Sequence, residues 1–151
     1  MLNYNANEIE FQIMRIYVKD ISLEAPNIPQ IFHKDWNSKL EFSINTSFCQ
    51  LSEGVFEVVL NVTVTCHLDK DIAFLCEIKQ AGIFSINKNK IDDLQITHFL
   101  STYCPNMLFP YASECINNLV ARASFPLIHL LPIDFYEIFN KNLQKDLKNT
   151  Y

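Results

Sequence analysis

The sequence predicts an α+β fold, in which a four-stranded antiparallel sheet is packed with two main helices plus a C-terminal helix. Apolar and polar residues alternate as in strands through the first half of the chain, whereas helical spacings occupy the second half. This segregation is typical of α+β proteins and not of alternating βαβ units. The polar connections 52–54 and 69–71 are too short for the crossover that parallel strands need, so neighbouring strands are expected to be antiparallel.

Four segments show the period-two alternation of strands, and they are residues 11–19, 39–50, 56–68 and 72–86. The third is the most regular, because apolar residues occupy every second position along it. In the first, Phe11 and Ile13 are expected on one face and Met14, Ile16 and Val18 on the other, which predicts partial cover on both faces. The short connections predict that the second, third and fourth strands form a meander.

Three helices are predicted in the second half of the chain. Asp92 or Asp93 can cap the first helix by accepting a hydrogen bond from a free backbone amide. We expect this helix to end at Pro105, because proline lacks the amide hydrogen that continues a helix. A second helix is expected over residues 110–123, and the C-terminal helix is expected to begin after Asp134.

The length fits a single domain, since residues 1–151 contain no repeat, low-complexity tract or linker. The terminal residues 1–9 and 145–151 are expected to be flexible. Hydrophobic residues make up 49% of the chain and aromatic residues 13%, while charged residues reach only 19%. This balance leaves apolar side chains on the surface, and we expect some of that surface to serve an interface.

Charge, termini and cysteines exclude several classes of function. The net charge of −5 and the lack of a basic stripe argue against nucleic acid as a partner, because phosphate backbones require clustered Lys and Arg. No signal-like segment opens the chain and no uncharged stretch is long enough to span a bilayer, so a cytoplasmic protein without membrane insertion is expected. The five cysteines are unevenly spaced and form no CxxC pair, which predicts neither disulfides nor a bound metal, and no cofactor is expected.

The chain is not expected to be an enzyme, because the compact motifs of hydrolases, nucleotide-binding proteins, metalloproteases and redox enzymes are absent. Cys104 and His98 are close enough in sequence to meet on a helix, but their apolar neighbours favour packing over nucleophilic catalysis. The carboxylates of Asp20, Glu24 and Glu77 leave three interpretations open: a solvated face, a docking surface for basic side chains, or paired catalytic groups.

Aromatic residues are more numerous than a two-layer domain of this size requires, and each of them alone fits a core position. Met107 and Leu108 lie among them, between Pro105 and Pro110. Aromatic rings and thioethers together suit an apolar surface that adapts to many partners. The aromatic set is Trp36, Phe74, Phe84, Phe99, Tyr103, Phe109 and Tyr111.

A series of ordered motifs from about residue 10 to residue 139 resembles the SecB family of bacterial export chaperones. The motifs are Phe11-Gln12-Ile13, Arg15-Ile16-Tyr17, Lys19-Asp20-Ile21-Ser22, Glu24-Ala25-Pro26-Asn27, Lys34-Asp35-Trp36, Glu57-Val58-Val59-Leu60, Val62-Thr63-Val64-Thr65, Ala73-Phe74-Leu75-Cys76-Glu77, Gly82-Ile83-Phe84-Ser85-Ile86, Tyr103-Cys104-Pro105-Asn106 and Leu108-Phe109-Pro110-Tyr111-Ala112. The resemblance implies an ATP-independent holdase that binds unfolded precursor proteins in apolar grooves. It also implies a homotetramer, a dimer of dimers, that delivers these clients to the ATPase SecA.

The resemblance implies roles for particular residues as well. Asp20, Glu24, Leu75 and Glu77 match the positions at which the family docks SecA, whose zinc-bearing tail is basic. Cys76, Ile78 and Gln80 match tetramer-interface positions. For the client groove we expect Trp36, Phe74, Phe84, Tyr103 and Phe109, with a core role as the alternative for each, and the stretch 103–112 is expected to be a hinge between two helices.

Three features depart from the family pattern. The loop 87–90 is more basic and slightly longer than usual, Ser113 replaces a typical Arg, and the tail carries Lys141, Lys145 and Lys148 where acidic residues are common in the family. The alternatives to a chaperone are an oligomeric adaptor that keeps the SecA-docking face without binding clients, and a small-ligand-binding α+β domain.

Overall fold

The four strands form one antiparallel sheet in the computed structural model, which describes residues 9–149. The strands are β1 (Phe11–Glu24), β2 (Ser38–Ser52), β3 (Val55–Leu68) and β4 (Asp71–Ile86), and their order across the sheet is β1-β4-β3-β2. Strands β2, β3 and β4 form the predicted meander, and β1 pairs with β4. The α+β class with a four-stranded antiparallel sheet is therefore confirmed, and β1 and β2 are the two edges of the sheet.

One side of the sheet forms the core. In β3 every second side chain, from Phe56 to Leu68, is buried, and the intervening side chains are partly exposed. The buried row faces the helices, so we call this the helix-facing side and the opposite side the open face. Apolar burial on this side of β3 and β4 stabilises the sheet at about 25 cal/mol per Å² removed from water.

Strand β1 does not keep a single alternation along its length. Two β-bulges, at Met14 and Lys19, each insert one extra residue and reverse the faces of the residues that follow. The expectation that Phe11 and Ile16 lie on opposite faces is therefore wrong, because Phe11 pairs with Ile86 and Ile16 with Gly82 on the helix-facing side. The apolar residues of β1 share one face because both bulges keep them there.

The first helix, α1 (Asp93–Arg122), is continuous, and the predicted break at Pro105 is wrong. Pro105 and Pro110 each remove one backbone hydrogen bond, a defect that costs about 3 kcal/mol or more in a helix interior. Packing offsets this cost, because a row of side chains at four-residue spacing runs past both prolines without interruption. The row is Leu100, Cys104, Leu108, Ala112, Ile116 and Val120, and all six are fully buried.

Both helix starts are capped by aspartate, as predicted. The side chain of Asp92 accepts a hydrogen bond from the Gln95 amide at 2.8 Å, and the Gln95 side chain accepts one from the Asp92 amide at 3.0 Å. Asp134 caps the second helix, α2 (Phe135–Lys148), by accepting from the Glu137 amide at 3.0 Å. Helix α2 thus includes part of the tail expected to be flexible; residues 1–8 and 150–151 lie outside the described part.

Helix α2 packs on α1 through aromatic rings. Phe139 contacts His98 edge-on at 4.9 Å between ring centroids, and Phe135 lies 6.3 Å from Phe109. A connection of thirteen residues, 25–37, joins the two sheet edges β1 and β2. It contains the short 3₁₀ helix Gln30–His33, and a second 3₁₀ helix spans Lys88–Lys90. Within residues 9–149, no helix is long and apolar enough to cross a membrane.

Candidate functional site

The four residues matched to the SecA-docking positions lie together on the open face. Glu24 pairs directly with Leu75 across β1 and β4, and Ser22 pairs with Glu77, one pair further along. Asp20 pairs with Lys79, the next open-face position. Side chains at such paired and diagonal positions are about 5–8 Å apart at Cβ. We call Asp20, Glu24, Leu75 and Glu77 the acidic patch.

The bulge at Lys19 puts two of these carboxylates on the open face. In an unbroken strand, Asp20 and Glu24 would lie on the same face as Ile16 and Val18, which is the helix-facing side. With the bulge, Ile21 and Leu23 turn to the helix-facing side, and Asp20 and Glu24 join Glu77 on the other. The sequence pattern alone does not place this bulge.

A polar network beside the acidic patch was missed by the sequence reasoning. The Tyr17 hydroxyl donates a hydrogen bond to Glu57, and the Lys19 ammonium lies 2.9 Å from the Glu57 carboxylate. The hydrogen bond from Tyr17, followed by that from Lys19, lowers the pKa of Glu57. Burial, followed by the bond to Glu57, raises the pKa of Tyr17 to about 12. These residues are about forty positions apart in sequence, so no local spacing signals their contact.

The residues expected in the client groove fall in different environments. Phe74 and Phe84 are fully buried on the helix-facing side, and Phe109 is 9% exposed, so packing favours the core alternative for these three. Trp36 is 42% exposed and lies 5.7 Å from the Phe125 ring. Tyr103 is half-buried and stacks on Phe99 at 5.2 Å. The set therefore does not form one surface.

Edge strand β2 supplies an exposed apolar row that the sequence reasoning missed. Leu40, Phe42 and Phe48 pair with buried residues of β3, which places them on the helix-facing side. They are nevertheless 46%, 41% and 40% exposed, because α1 lies mainly over β3 and β4. Among residues 9–149, no strand pairs with the outer edge of β2. The alternation of β2 resembles that of β3, so sequence alone does not distinguish a covered row from an uncovered one.

A groove lies between β2 and the two helices. It encloses about 320 Å³ and mixes apolar and polar side chains. Leu94 of α1 and Leu143 of α2 line it and remain exposed. The lining residues are Ile44, Asn45, Thr46, Leu94, Thr97, Ser101, Phe135, Ile138, Phe139, Asn142, Leu143 and Asp146. The groove and the β2 row, which meet at Ile44, are together called the β2 groove.

The three residues matched to tetramer-interface positions are buried within the single chain. Cys76 and Ile78 are fully buried, and Gln80 is 3% exposed. The Gln80 side-chain amide donates to the Tyr17 carbonyl at 3.1 Å, across β4 and β1. Any influence of these residues on assembly would therefore have to pass through the packing of β4 beneath α1.

The geometry gives Cys104 and His98 packing roles. Cys104 is fully buried, and burial raises its thiol pKa, which disfavours the thiolate that nucleophilic attack requires. His98 is 8% exposed and lies between the rings of Tyr136 and Phe139. In the part of the chain that the structure describes, no three His, Cys, Asp or Glu side chains are grouped to hold a metal ion.

In a comparison with known proteins, a family model matches most of the chain. The model of the family described as preprotein translocase subunit SecB matches residues 4–146. The fold is similar to that of the Mycobacterium tuberculosis Rv1957 SecB-like chaperone, solved in complex with a ChAD peptide from the Rv1956 HigA1 antitoxin. That match has 14% identity and a TM-score of 0.69, and it covers 82% of this chain and 91% of the other. A Streptococcus agalactiae protein of unknown function matches at 12% identity and a TM-score of 0.43, covering 82% and 98%.

Proposed function

The chain belongs to the SecB family and has a chaperone role, and we propose that it is a cytoplasmic, ATP-independent holdase. It binds unfolded precursor polypeptides before they fold and passes them to the ATPase SecA. The β2 groove is the observation that carries the proposal. There, apolar side chains lie exposed beside a strand edge that is unpaired within residues 9–149.

An unfolded client exposes apolar side chains and unpaired backbone groups, and the β2 groove complements both. Phe42 and Phe48 can bury client side chains, while the outer edge of β2 can pair with a client backbone as an added strand. Backbone pairing carries no sequence preference, so selectivity among clients should be low. A client that folds quickly hides these groups and escapes, and retention of slow folders requires no nucleotide.

Two further observations support the same proposal. The mycobacterial SecB-like chaperone was solved with a bound peptide, and we extend peptide binding to this chain. On the open face, the acidic patch offers carboxylates to the basic tail of SecA. With a net charge of −5 per chain, the field of the whole protein steers a basic partner towards it, and salt should weaken this attraction.

The active form in this proposal is a homotetramer built as a dimer of dimers. The edge strand β1 supports a subunit contact, because its outer edge is unpaired within residues 9–149 and apolar side chains on it are exposed. The exposed apolar residues of β1 are Ile13, Met14, Val18 and Ile21. Light scattering on the purified protein at micromolar concentration tests this assembly, and a monomer would contradict it.

The holdase activity is tested by the refolding of a slow-folding precursor. Purified protein in excess over the precursor should delay refolding, and the delay should be the same with and without ATP. A folded form of the same precursor serves as the control and should not be bound. If the precursor refolds at its unassisted rate while SecA still binds, the chain is an adaptor and not a holdase.

Docking is tested by titrating the protein with the basic C-terminal segment of SecA. Glu77→Lys should weaken binding about tenfold or more, because it places a positive charge, of the same sign as the SecA segment, at the centre of the acidic patch. Glu53→Lys is the matched control, since it makes the same charge change in the β2–β3 turn, away from the patch. Equal affinities for the two variants would remove Glu77 from the docking site.

A further inference from the structure

Three side chains form a bridge across the open face that connects strands which are not neighbours. Tyr17 and Lys19 extend from β1, and Glu57 lies on β3, with β4 between them. Tyr17 pairs with Ala81 of β4, whose small side chain leaves room for the bridge to pass. We call Tyr17, Lys19 and Glu57 the Glu57 bridge.

The bridge determines where the Lys19 ammonium lies. Lys19 is the extra residue of the second bulge and is adjacent in sequence to Asp20 of the acidic patch. Its ammonium is not directed to Asp20 but lies 2.9 Å from Glu57, whose side chain is only 15% exposed. The hydrogen bond from the Tyr17 hydroxyl fixes the other oxygen of the same carboxylate.

The charge of the acidic patch makes this placement important. Asp20, Glu24 and Glu77 are three carboxylates, and the lysine at the paired position, Lys79, already offsets one of them. If Lys19 were released, its long side chain could reach Asp20, and the net charge of the patch would fall by half. A basic partner would then meet a weaker field.

We propose that Glu57, oriented by Tyr17, holds Lys19 away from the acidic patch and so preserves the charge that a basic partner segment requires. Glu57 is thus a positioning residue for docking, although it lies outside the patch. This inference rests on the proposed docking of SecA. The lowered pKa of Glu57 agrees with it, because the carboxylate stays ionised at neutral pH and keeps its hold on Lys19.

The test measures the affinity of the basic C-terminal segment of SecA by titration calorimetry at low salt. Glu57→Gln should weaken binding about two- to fivefold, as expected for the gain or loss of one surface ion pair. Lys19→Met combined with Glu57→Gln should restore the wild-type affinity, because no cation is left to enter the patch. Lys19→Met alone should leave the affinity unchanged or slightly raised, and Tyr17→Phe should give a smaller loss.

Glu41→Gln is the matched control. Glu41 lies on β2 and its side chain is 75% exposed, so this variant removes a carboxylate without releasing Lys19. The difference between Glu57→Gln and Glu41→Gln should vanish at about 1 M salt, where charges are screened beyond roughly 3 Å. Thermal unfolding of each variant separates loss of fold from loss of docking.

Three outcomes decide the inference. Equal losses for Glu57→Gln and Glu41→Gln would overturn it, as would failure of Lys19→Met to restore binding in the Glu57→Gln protein. In either case Glu77→Lys would still weaken binding if the docking proposal is correct. If the wild-type protein does not bind the segment, both proposals fall together.

Discussion

The two faces of the sheet are formed by the same strands but differ in what they do. On the helix-facing side, Val58, Leu60 and Val62 are fully buried beneath helices. On the open face, their sequence neighbours Glu57 and Asn61 are partly exposed, and the carboxylate of Asp20 is paired with Lys79 across β1 and β4. One side therefore provides stability through apolar burial, and the other is available for electrostatic recognition.

This division breaks down at both edge strands. In β1 the helix-facing residues Ile13, Val18 and Ile21 are exposed, and in β2 a whole row is exposed. The helix-facing row of β2 has the apolar character of a core, yet α1 does not cover it. An uncovered core row is a suitable surface for a polypeptide that lacks a core of its own. In the proposed function, client binding and partner docking use separate surfaces, so substitutions on each surface can test them separately.

The largest expected effect tests the division between the faces directly. Phe84→Ala should reduce the free energy of unfolding by about 3–5 kcal/mol, because the fully buried ring leaves a cavity against α1. Ser85→Ala, at the next position on the open face, should change it by less than about 0.5 kcal/mol. Urea unfolding of both variants measures the difference, and similar losses would show that the faces are not distinct in stability.

An intermediate effect is expected at the β2 row. Phe42→Thr should cost only about 1 kcal/mol in stability, since the ring is 41% exposed, but should weaken client binding about fivefold. Ser43→Thr, on the other face of the same strand, is the control and should leave client binding unchanged. The refolding delay of a slow-folding precursor measures client binding by both variants. An unaltered delay for Phe42→Thr would exclude the row as a client surface.

The smallest effect is a difference in pH dependence between the helix layer and the open face. Burial lowers the pKa of His98, which lies on α1 against α2, and hydrogen bonds lower the pKa of Glu57 on the open face. Both groups bind protons more readily in the unfolded chain, so each makes stability fall as pH falls. The loss from His98 begins below its unfolded pKa of about 6.5, and that from Glu57 below about 4.3.

Urea unfolding across a pH series separates these two contributions. His98→Gln should flatten the upper part of the stability profile, and Glu57→Gln the lower part. An unchanged profile in either variant would show that the group does not contribute. Glu41→Gln is again the control for loss of a carboxylate from the open face.

Much of the fold was predictable because it is encoded locally. The alternation in β3 and the short polar turns beside it indicate an antiparallel meander, and Asp92 and Asp134 mark helix starts through hydrogen bonds within four residues. The continuity of α1 was not predictable in this way. A proline signals a break, and only the sheet beneath Leu100 to Val120 makes it favourable for the helix to continue.

The candidate sites also differ in whether the sequence or only the tertiary structure reveals them. The resemblance implied a docking role for Asp20, Glu24, Leu75 and Glu77, and the sheet register brings all four to one face. The Glu57 bridge and the exposure of Phe42 could not be predicted, because both depend on which distant elements approach.

By itself, the sequence determined the α+β class, the meander of three strands, the helix caps and the kinship with SecB chaperones, since each of these is carried by residues close together in the chain. The tertiary structure alone decided which apolar residues are covered, how α1 passes two prolines and how the bulge at Lys19 turns Asp20 to the open face. The physical reason is that burial, register and helix continuity depend on contacts between segments far apart in sequence, whose net free energy outweighs local preference.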